Sequence, residues 1–396
     1  MIARAPYLFL LLIIVPDLYF DLHYWRHKFS GGKRLLYWIP TIVMVGLTLK
    51  LTYEPEFIAE DTTLIFSYLL MLGLISVPKM VYMLCSIAGL GTSKVVRLFK
   101  RNKRHKPKNY GNLVGWLATV LIWYAVLYGT FVGFYELNTD QVYYYTSPNI
   151  PAAFDGYKIV QFSDLHAGTM KGDRQWMLKR LVDSINAQKP DLIVFTGDLQ
   201  NVEPQEIAEH LSTLSQLKAK DGVYSVLGNH DYDKYMLQKD GLDTQPCPET
   251  IALEKRMGWH LLQNENCTIT RGNDRMTIAG MDNDGDGKRF PQRGDVKKAL
   301  RGAAPFVVML EHDPSGWRRK IVPDGRAQLT LSGHTHNMQF ALFGWAPMKL
   351  SGKEINGWYE EGRQSLFVTA GLGGLIPFRF GATGEIVVIE LKNAKM

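Results

Sequence analysis

Five short apolar runs in this 396-residue chain end in side chains of the kinds that hold divalent cations or move protons. They are YKIVQFSDLH (157–166), DLIVFTGDLQN (191–201), GVYSVLGNHDY (222–232), FVVMLEHDP (306–314) and QLTLSGHTH (328–336). Five of the seven histidines beyond residue 139 sit at these ends, while His210 and His260 read as ordinary surface or core residues. The donors are carboxylate, imidazole and amide with no thiolate, a set that suits manganese, iron or zinc better than calcium. Each run is short and apolar, which predicts a buried strand. In open α/β sheets ligands gather at the carboxyl ends of strands, so five such tips can converge on one site.

Between the runs the pattern is helical. In RQWMLKRLVDSINAQK (174–189), Met177, Leu178, Leu181, Val182 and Ile185 mark one face. Strands alternating with amphipathic helices predict α/β layering over residues 139–396.

Residues 1–138 have a different texture. Apolar stretches at about 6–22, 35–52, 63–90 and 111–134 each approach or exceed the ~20 residues that cross a ~30 Å hydrocarbon layer. The first is preceded by Arg4 but lacks a small-residue cleavage site, and three more stretches come after it, so it reads as a retained helix in a bundle of about four transmembrane spans. Arg26, Lys28, Lys33 and Arg34 lie between spans one and two, and SKVVRLFKRNKRHKPKN (93–109), with eight Lys+Arg, lies between spans three and four. The intervening loop, YEPEFIAEDT (53–62), has none. Positive loops stay on the cytoplasmic side, which places both chain ends and the α/β domain on the extracytoplasmic side. Within the spans, Lys79 beside Pro78 reads as a snorkelling or kink-associated lysine, and Asp17 beside Pro16 as a residue towards the membrane edge.

The formal charge of +7 divides unevenly. Residues 1–138 hold 15 Lys+Arg against 7 Asp+Glu, and residues 139–396 hold 30 against 31. The larger part has no basic bias for a polyanion to exploit, so no nucleic acid is expected as a partner. Cys85, Cys247 and Cys267 are too few and scattered for a disulfide framework or a thiolate zinc site, and they read as structural thiols.

In order, Asp-x-His (164–166), Gly-Asp (197–198), Gly-Asn-His-Asp (228–231), the lone His312 and Gly-His-x-His (333–336) resemble the calcineurin-like metallophosphoesterases. The resemblance covers about residues 155–392. It extends to TAGLGGLIPFRFGATGEIVVIEL (369–391), which is similar to the carboxyl end of the family's membrane-associated branch. It implies a metallophosphoesterase-type α/β sandwich holding two divalent metal ions. By correspondence of motifs, one ion takes Asp164, His166, Asp198 and His336, and the other takes Asp198, Asn229, His312 and His334. His230 resembles the family's general acid. The reaction class explains these residue types: a phosphate ester resists attack because its oxygens are already negative. Two cations about 3.5–4 Å apart neutralise that charge and acidify a bridging water, and ions so close need a shared carboxylate.

Two departures bear on substrate. Phosphoprotein phosphatases of the superfamily carry Gly-Asp-x-x-Asp-Arg-Gly, where this chain has GDLQNVE, so Asn201 replaces the carboxylate that orients the acid histidine and Asp231 is the candidate to take over that role. After the last histidine, relatives often read Gly-Gly-Gln, whereas Asn337, Met338 and Gln339 stand here.

The reading is a membrane-anchored phosphoesterase, a phosphodiesterase or phosphatase, that works through attack by a metal-bound hydroxide. A non-catalytic metal- or ligand-binding sensory membrane protein is the alternative, which loss of a ligand would favour; none is lost. FALFGWAPMKL (340–350) and GLIPF (374–378) come after the histidines and read either as core or as an apolar lip of Phe343, Trp345, Met348, Ile376 and Phe378. The lip would suit a phospholipid or lipid-linked (pyro)phosphate, since only residues 135–150 join the last span to the first catalytic strand. DNDGDG (282–287) matches half of a calcium EF-hand, but Arg293 stands where the bidentate Glu must be, which predicts an exposed acidic turn. GLGGL (371–375) lacks the helix of a dinucleotide site and reads as a turn.

Overall fold

The computed structural model describes residues 6–53, 62–99, 108–139, 141–233 and 244–395. The loop at 54–61 and residues 100–107 of the basic segment at 93–109 lie outside the described residues. The chain divides into two compact units, Met1–Gly129 and Thr130–Met396.

Among its described residues the first unit has four helices that are long and apolar enough to cross a membrane. Helix α1 (Pro6–Phe20) continues as a π-helical turn, Asp21–Trp25, and α2 covers Gly31–Tyr53. Helix α3 runs through Thr62–Met71, a second π turn at Leu72–Ser76, and Val77–Phe99, and α4 covers Gly111–Phe131. Leu8, Leu36, Leu84, Leu117 and Leu121 lie exposed along their outer faces, as lipid-facing residues do. Lys79 does not snorkel. Its ammonium meets Asp17 at 2.7 Å, and Asp17 is buried in the bundle.

Among its described residues the second unit has a sandwich of two six-stranded sheets and a separate parallel pair of Leu137–Asn138 with Gly384–Glu385. In chain order the sandwich strands are β1 (Val142–Ser147), β2 (Lys158–Phe162), β3 (Leu192–Phe195), β4 (Val223–Ser225), β5 (His260–Leu261) and β6 (Glu265–Arg271). They continue with β7 (Asp274–Gly280), β8 (Val307–Leu310), β9 (Leu329–Ser332), β10 (Gly357–Glu361), β11 (Gln364–Val368) and β12 (Val387–Asn393). One sheet has the order β1-β12-β2-β3-β4-β5 and the other β10-β11-β9-β8-β7-β6.

Alternation along each strand explains why the runs are apolar throughout. Ile159, Leu192 and Val194 of one sheet meet Ile278, Val308, Leu310 and Leu331 of the other in the central core. Their neighbours Val160, Ile193 and Phe195 face outward against Leu178, Leu181, Val182 and Ile185 of α5 (Gln175–Ala187). On the far side Val307, Met309 and Val368 pack under Trp317 and Ile321. Parallel strands covered on both faces read as unbroken hydrophobic runs.

Register sets the level of the tips. Phe162 pairs with Phe195, Phe195 with Ser225, and Leu331 with Leu310. The residues just past these pairs therefore emerge together at one end of both sheets. The Gln161 amide ties the sheets there, donating to Thr196 Oγ1 at 3.1 Å and to the Ser332 carbonyl at 3.0 Å.

Asp282, Asn283 and Asp284 are buried rather than forming an exposed acidic turn. Asp284 is committed to Arg319 and Lys320, each at 2.5 Å, which leaves no carboxylate face for calcium.

Candidate metal centre

The five tips meet in two groups that share one carboxylate. Ligand atoms of Asp164, His166, Asp198 and His336 lie within 4.8 Å of one another, as do those of Asp198, His312 and His334. Asn229 joins the second group through Oδ1, 3.2 Å from His312 Nε2.

The backbone is bent to achieve this. Asp164, His166, Asp198, His334 and His336 all have positive φ, between 46° and 74°. For residues with a Cβ this left-handed region costs about 1–3 kcal/mol each and persists where surrounding contacts fix it. Those contacts are close. Both oxygens of Asp164 accept the His334 N–H, at 3.0 and 3.1 Å. Gly333 is required for space rather than for an unusual φ: a Cβ there would stand 2.0 Å from Ser163 Oγ and 2.3 Å from Asp164 Oδ2. The turn at 371–375 lies against the same loop, with the Gly373 N–H donating to the Asp164 carbonyl at 2.8 Å.

His312 tests whether cations fit. Its Nδ1 lies 2.7 Å from the Thr196 carbonyl, which can only accept, so Nδ1 carries the hydrogen and Nε2 the lone pair. That lone pair faces Asn229 Oδ1 at 3.2 Å, His334 Nδ1 at 3.2 Å and Asp198 Oδ2 at 3.4 Å. Converging acceptors repel unless positive charge lies among them. A proton on His312 can supply part of it: burial depresses that ring, but the Asp198 and Asp164 carboxylates outweigh burial and lift it to about 10. A divalent cation serves all the converging donors at once.

The first group has the same character. His166 Nδ1 lies 3.1 Å from Asn201 Oδ1, while the Asn201 amide nitrogen donates to the Leu375 carbonyl at 3.4 Å. His166 Nδ1 is therefore the donor, and its Nε2 faces His336 Nε2 at 3.2 Å and Asp198 Oδ2 at 3.5 Å. Burial pushes His166 down to about 3, so this ring meets the site neutral, the form that ligates metal.

His230 stands beside these groups, its ring edge-on to His166 with centroids 4.7 Å apart. Its Nδ1 donates to the Asn201 carbonyl at 2.7 Å. That backbone contact orients the ring. The Asp231 carboxylate instead accepts the N–H groups of Asp198, Leu199, Gln200 and Gly228 at 2.8–3.1 Å, so it holds the Asp198 loop and not the imidazole.

Two contributors escape motif reading. Asp313 lies 3.4 Å from His334 Nε2, where it can fix that ring's tautomer, and its only sequence signal is adjacency to His312. Asn201, visible in the sequence as a departure, supports His166 with its side chain and His230 with its backbone.

Comparison with known proteins bears on the same residues. Residues 157–338 match the family model described as calcineurin-like phosphoesterase. An uncharacterized metallophosphoesterase of Bacillus subtilis, YkuE, is 32% identical over 257 residues, which cover 62% of this chain and 82% of that protein. The chain belongs to the calcineurin-like phosphoesterase family. Residues 2–134 match the family's probable transmembrane domain, so this member is a multi-pass membrane protein. A transmembrane protein with metallophosphoesterase domain from Danio rerio is 31% identical over 258 residues, 62% of this chain and 55% of that protein. The match therefore spans little more than half of that relative. The UDP-2,3-diacylglucosamine pyrophosphatase LpxG of Chlamydia trachomatis is 28% identical over 300 residues, 61% of this chain and 86% of that protein.

Proposed function

We propose that the chain is a metal-dependent phosphoesterase, anchored by its four spans, whose substrate is a phosphate ester or pyrophosphate carried on a lipid. The hydrolytic part of this reading rests on Asp198 standing between two converging donor groups. Two divalent ions bound there would neutralise phosphoryl oxygens and acidify a water near neutral pH, and manganese, iron and zinc all suit the donors. Asp164, His166, Asp198 and His336 would hold one ion, and Asp198, Asn229, His312 and His334 the other. His230, oriented through Nδ1, presents Nε2 as the proton donor for the leaving oxygen, and Asp231 positions the loop that carries Asp198.

The lipid part rests on the segment just beyond His336. Phe343 is fully exposed, Leu350 nearly so, and Leu342, Trp345 and Met348 are each more than a third exposed. Met338 joins them, with the Met348 N–H against its sulfur at 3.1 Å. Gln339 donates to the carbonyls of Ile376 and Phe378, which draws the second apolar loop alongside. An exposed aromatic and aliphatic patch next to a polar centre marks an interaction surface, and Trp favours the membrane interface. The Chlamydia relative, named for a diacylated substrate, supports the same class.

The double variant Phe343→Ser/Trp345→Ser tests this. Turnover of a phospholipid or lipid pyrophosphate in vesicles is expected to fall by about tenfold or more, given ~1.5–3 kcal/mol for burying one large apolar side chain. Turnover of a soluble nitrophenyl phosphate ester should stay near wild type. Equal loss on both substrates, with lowered stability, would remove the lipid reading.

Orientation belongs to the same proposal, since twelve Lys+Arg lie in the loops before span two and before span four and none in the loop between spans two and three. A reporter active only outside the cytoplasm is expected to be active when fused after Met396 and silent when fused within 98–108. The reverse pattern would place the phosphoesterase domain in the cytoplasm.

A further inference from the structure

The four-helix unit contains its own site, independent of the metal centre and its substrate. A cavity of about 450 Å³ opens among α1, α2, α3 and α4. Tyr82, Trp116 and Trp123 line it from α3 and α4, and Tyr24, Trp25 and Tyr37 from α1 and α2. That volume and an aromatic lining with one charged group are those of a small-molecule pocket. The charged group is Lys79.

Three observations set this cavity apart from an ordinary groove between spans. Both π-helical turns of the bundle contribute to its wall, Tyr24 and Trp25 from Asp21–Trp25 and Leu74 and Ile75 from Leu72–Ser76. Isolated π turns are rare and recur at functional sites. The second observation is a charge pair inside the apolar bundle. Asp17 accepts from Lys79 at 2.7 Å, from Thr41 at 2.5 Å and from the Tyr37 hydroxyl. Ionisable groups at such depth are expensive and mark ligand or ion sites by default. The third is an imbalance of donors. Asp17 accepts three donors, whereas the Lys79 ammonium has three N–H groups and Asp17 as its one hydrogen-bond acceptor among the described residues. Its other neighbour is the face of Tyr37, 5.3 Å from the ring centroid.

The cavity wall runs on into a basic turn. Trp25, in its wall, is succeeded directly by Arg26, then Lys28, Lys33 and Arg34. Of these, Arg34 is held by Asp21 at 2.6 Å, and Arg26, Lys28 and Lys33 have no carboxylate partner among the described residues. Asp17 lies eight residues before Trp25, about 12 Å along a helix. Lys79, paired with Asp17, thus stands about 12 Å below the turn, and basic pockets between spans bind anionic head groups.

We propose that this cavity binds one anionic phospholipid, with an acyl chain among Tyr82, Trp116 and Trp123 and the head-group oxygens between Lys79 and the basic turn. The probe is phosphatidylglycerol or phosphatidylcholine carrying a diazirine in the acyl chain, at 5% in phosphatidylcholine nanodiscs holding the full chain. The phosphatidylglycerol probe is expected to label residues 72–82 and 112–123 about fivefold more than the phosphatidylcholine probe, the factor that one cation contributes towards an anionic lipid. Unlabelled phosphatidylglycerol should compete. Lys79→Met leaves Asp17 unpaired and can unfold the bundle, so the second variant is Asp17→Asn/Lys79→Met, which buries no charge. It should keep the chain folded and abolish the fivefold preference, and Ile75→Trp, which fills the cavity, should abolish labelling by both probes at these segments. Equal labelling by the two probes, labelling spread evenly over all lipid-facing helices, or displacement by oleate but not by phosphatidylglycerol would overturn the proposal.

Discussion

Asp198→Asn is expected to abolish hydrolysis and to leave less than about one metal ion per chain where the wild type carries about two. The substitution is close to isosteric, and asparagine tolerates the left-handed backbone that Asp198 adopts at φ 60°, so the loop should keep its course. What changes is which atoms face the site. The His230 N–H donates to Asp198 Oδ1 at 2.8 Å and demands an acceptor there. The amide oxygen will take that position, which turns the amide NH₂ into the place of Oδ2. That place lies 3.5 Å from His166 Nε2 and 3.4 Å from His312 Nε2. Two N–H donors would then point at the two lone pairs meant for cations and satisfy both by hydrogen bonds. The variant should therefore resist reloading with manganese or zinc, not merely lose affinity through one missing charge. Metal analysis of the purified chain before and after reloading measures this. Recovery of two ions per chain would show that Asp198 does not bridge.

The tips were legible because their positions derive from local rules alone. An apolar run of about four to eight residues is too short for most helices and fits a strand covered on both faces, and parallel strands in register end at one level where their polar tip residues gather. The four helices were legible from length and hydropathy. What the sequence hid depends on contacts between distant residues. Asp17 and Lys79 are 62 positions apart, and only the packing of α1 on α3 makes a pair of two residues that read separately as a membrane-edge aspartate and a snorkelling lysine. Asp284 looked like part of an acidic surface turn because Arg319 and Lys320, which neutralise it, lie 35 and 36 residues further on. The segment 340–350 was ambiguous for another reason. Its composition fits a core, yet it lies exposed after the left-handed run Asn337–Gln339, which a one-dimensional pattern does not encode. Asn201 shows the limit of motif logic most directly. Replacing a carboxylate by an amide there made Asp231 the candidate to orient His230, whereas the His230 ring donates to the backbone carbonyl of Asn201 itself.

That last contact shapes the second large expectation. His230→Ala should lower turnover by about 10²–10⁴, the usual range for a lost general acid, while metal content stays at the wild-type level. Retention is a matter of geometry. The Asp198 carboxylate accepts the backbone N–H of residue 230, which alanine keeps. Asp231 continues to hold the Asp198, Leu199 and Gln200 amides, so the loop is not released. The lost group is the imidazole, whose Nδ1 hydrogen is committed to Asn201 and whose Nε2 is the nitrogen able to hand a proton to a departing alkoxide. A leaving group that needs no proton separates this role from a structural one. With nitrophenolate the loss should shrink to about tenfold or less, and with an alkyl or lipid alkoxide it should reach the full range. Asn201 provides the control. Its carbonyl cannot be removed by substitution, but Asn201→Ala deletes the side-chain contacts to His166 Nδ1 and the Leu375 carbonyl and keeps the backbone contact to His230, so it should perturb metal affinity without this leaving-group dependence. If His230→Ala instead strips metal, or loses equal activity on both kinds of ester, the ring belongs to the metal sites and the acid must be sought elsewhere among the tip residues.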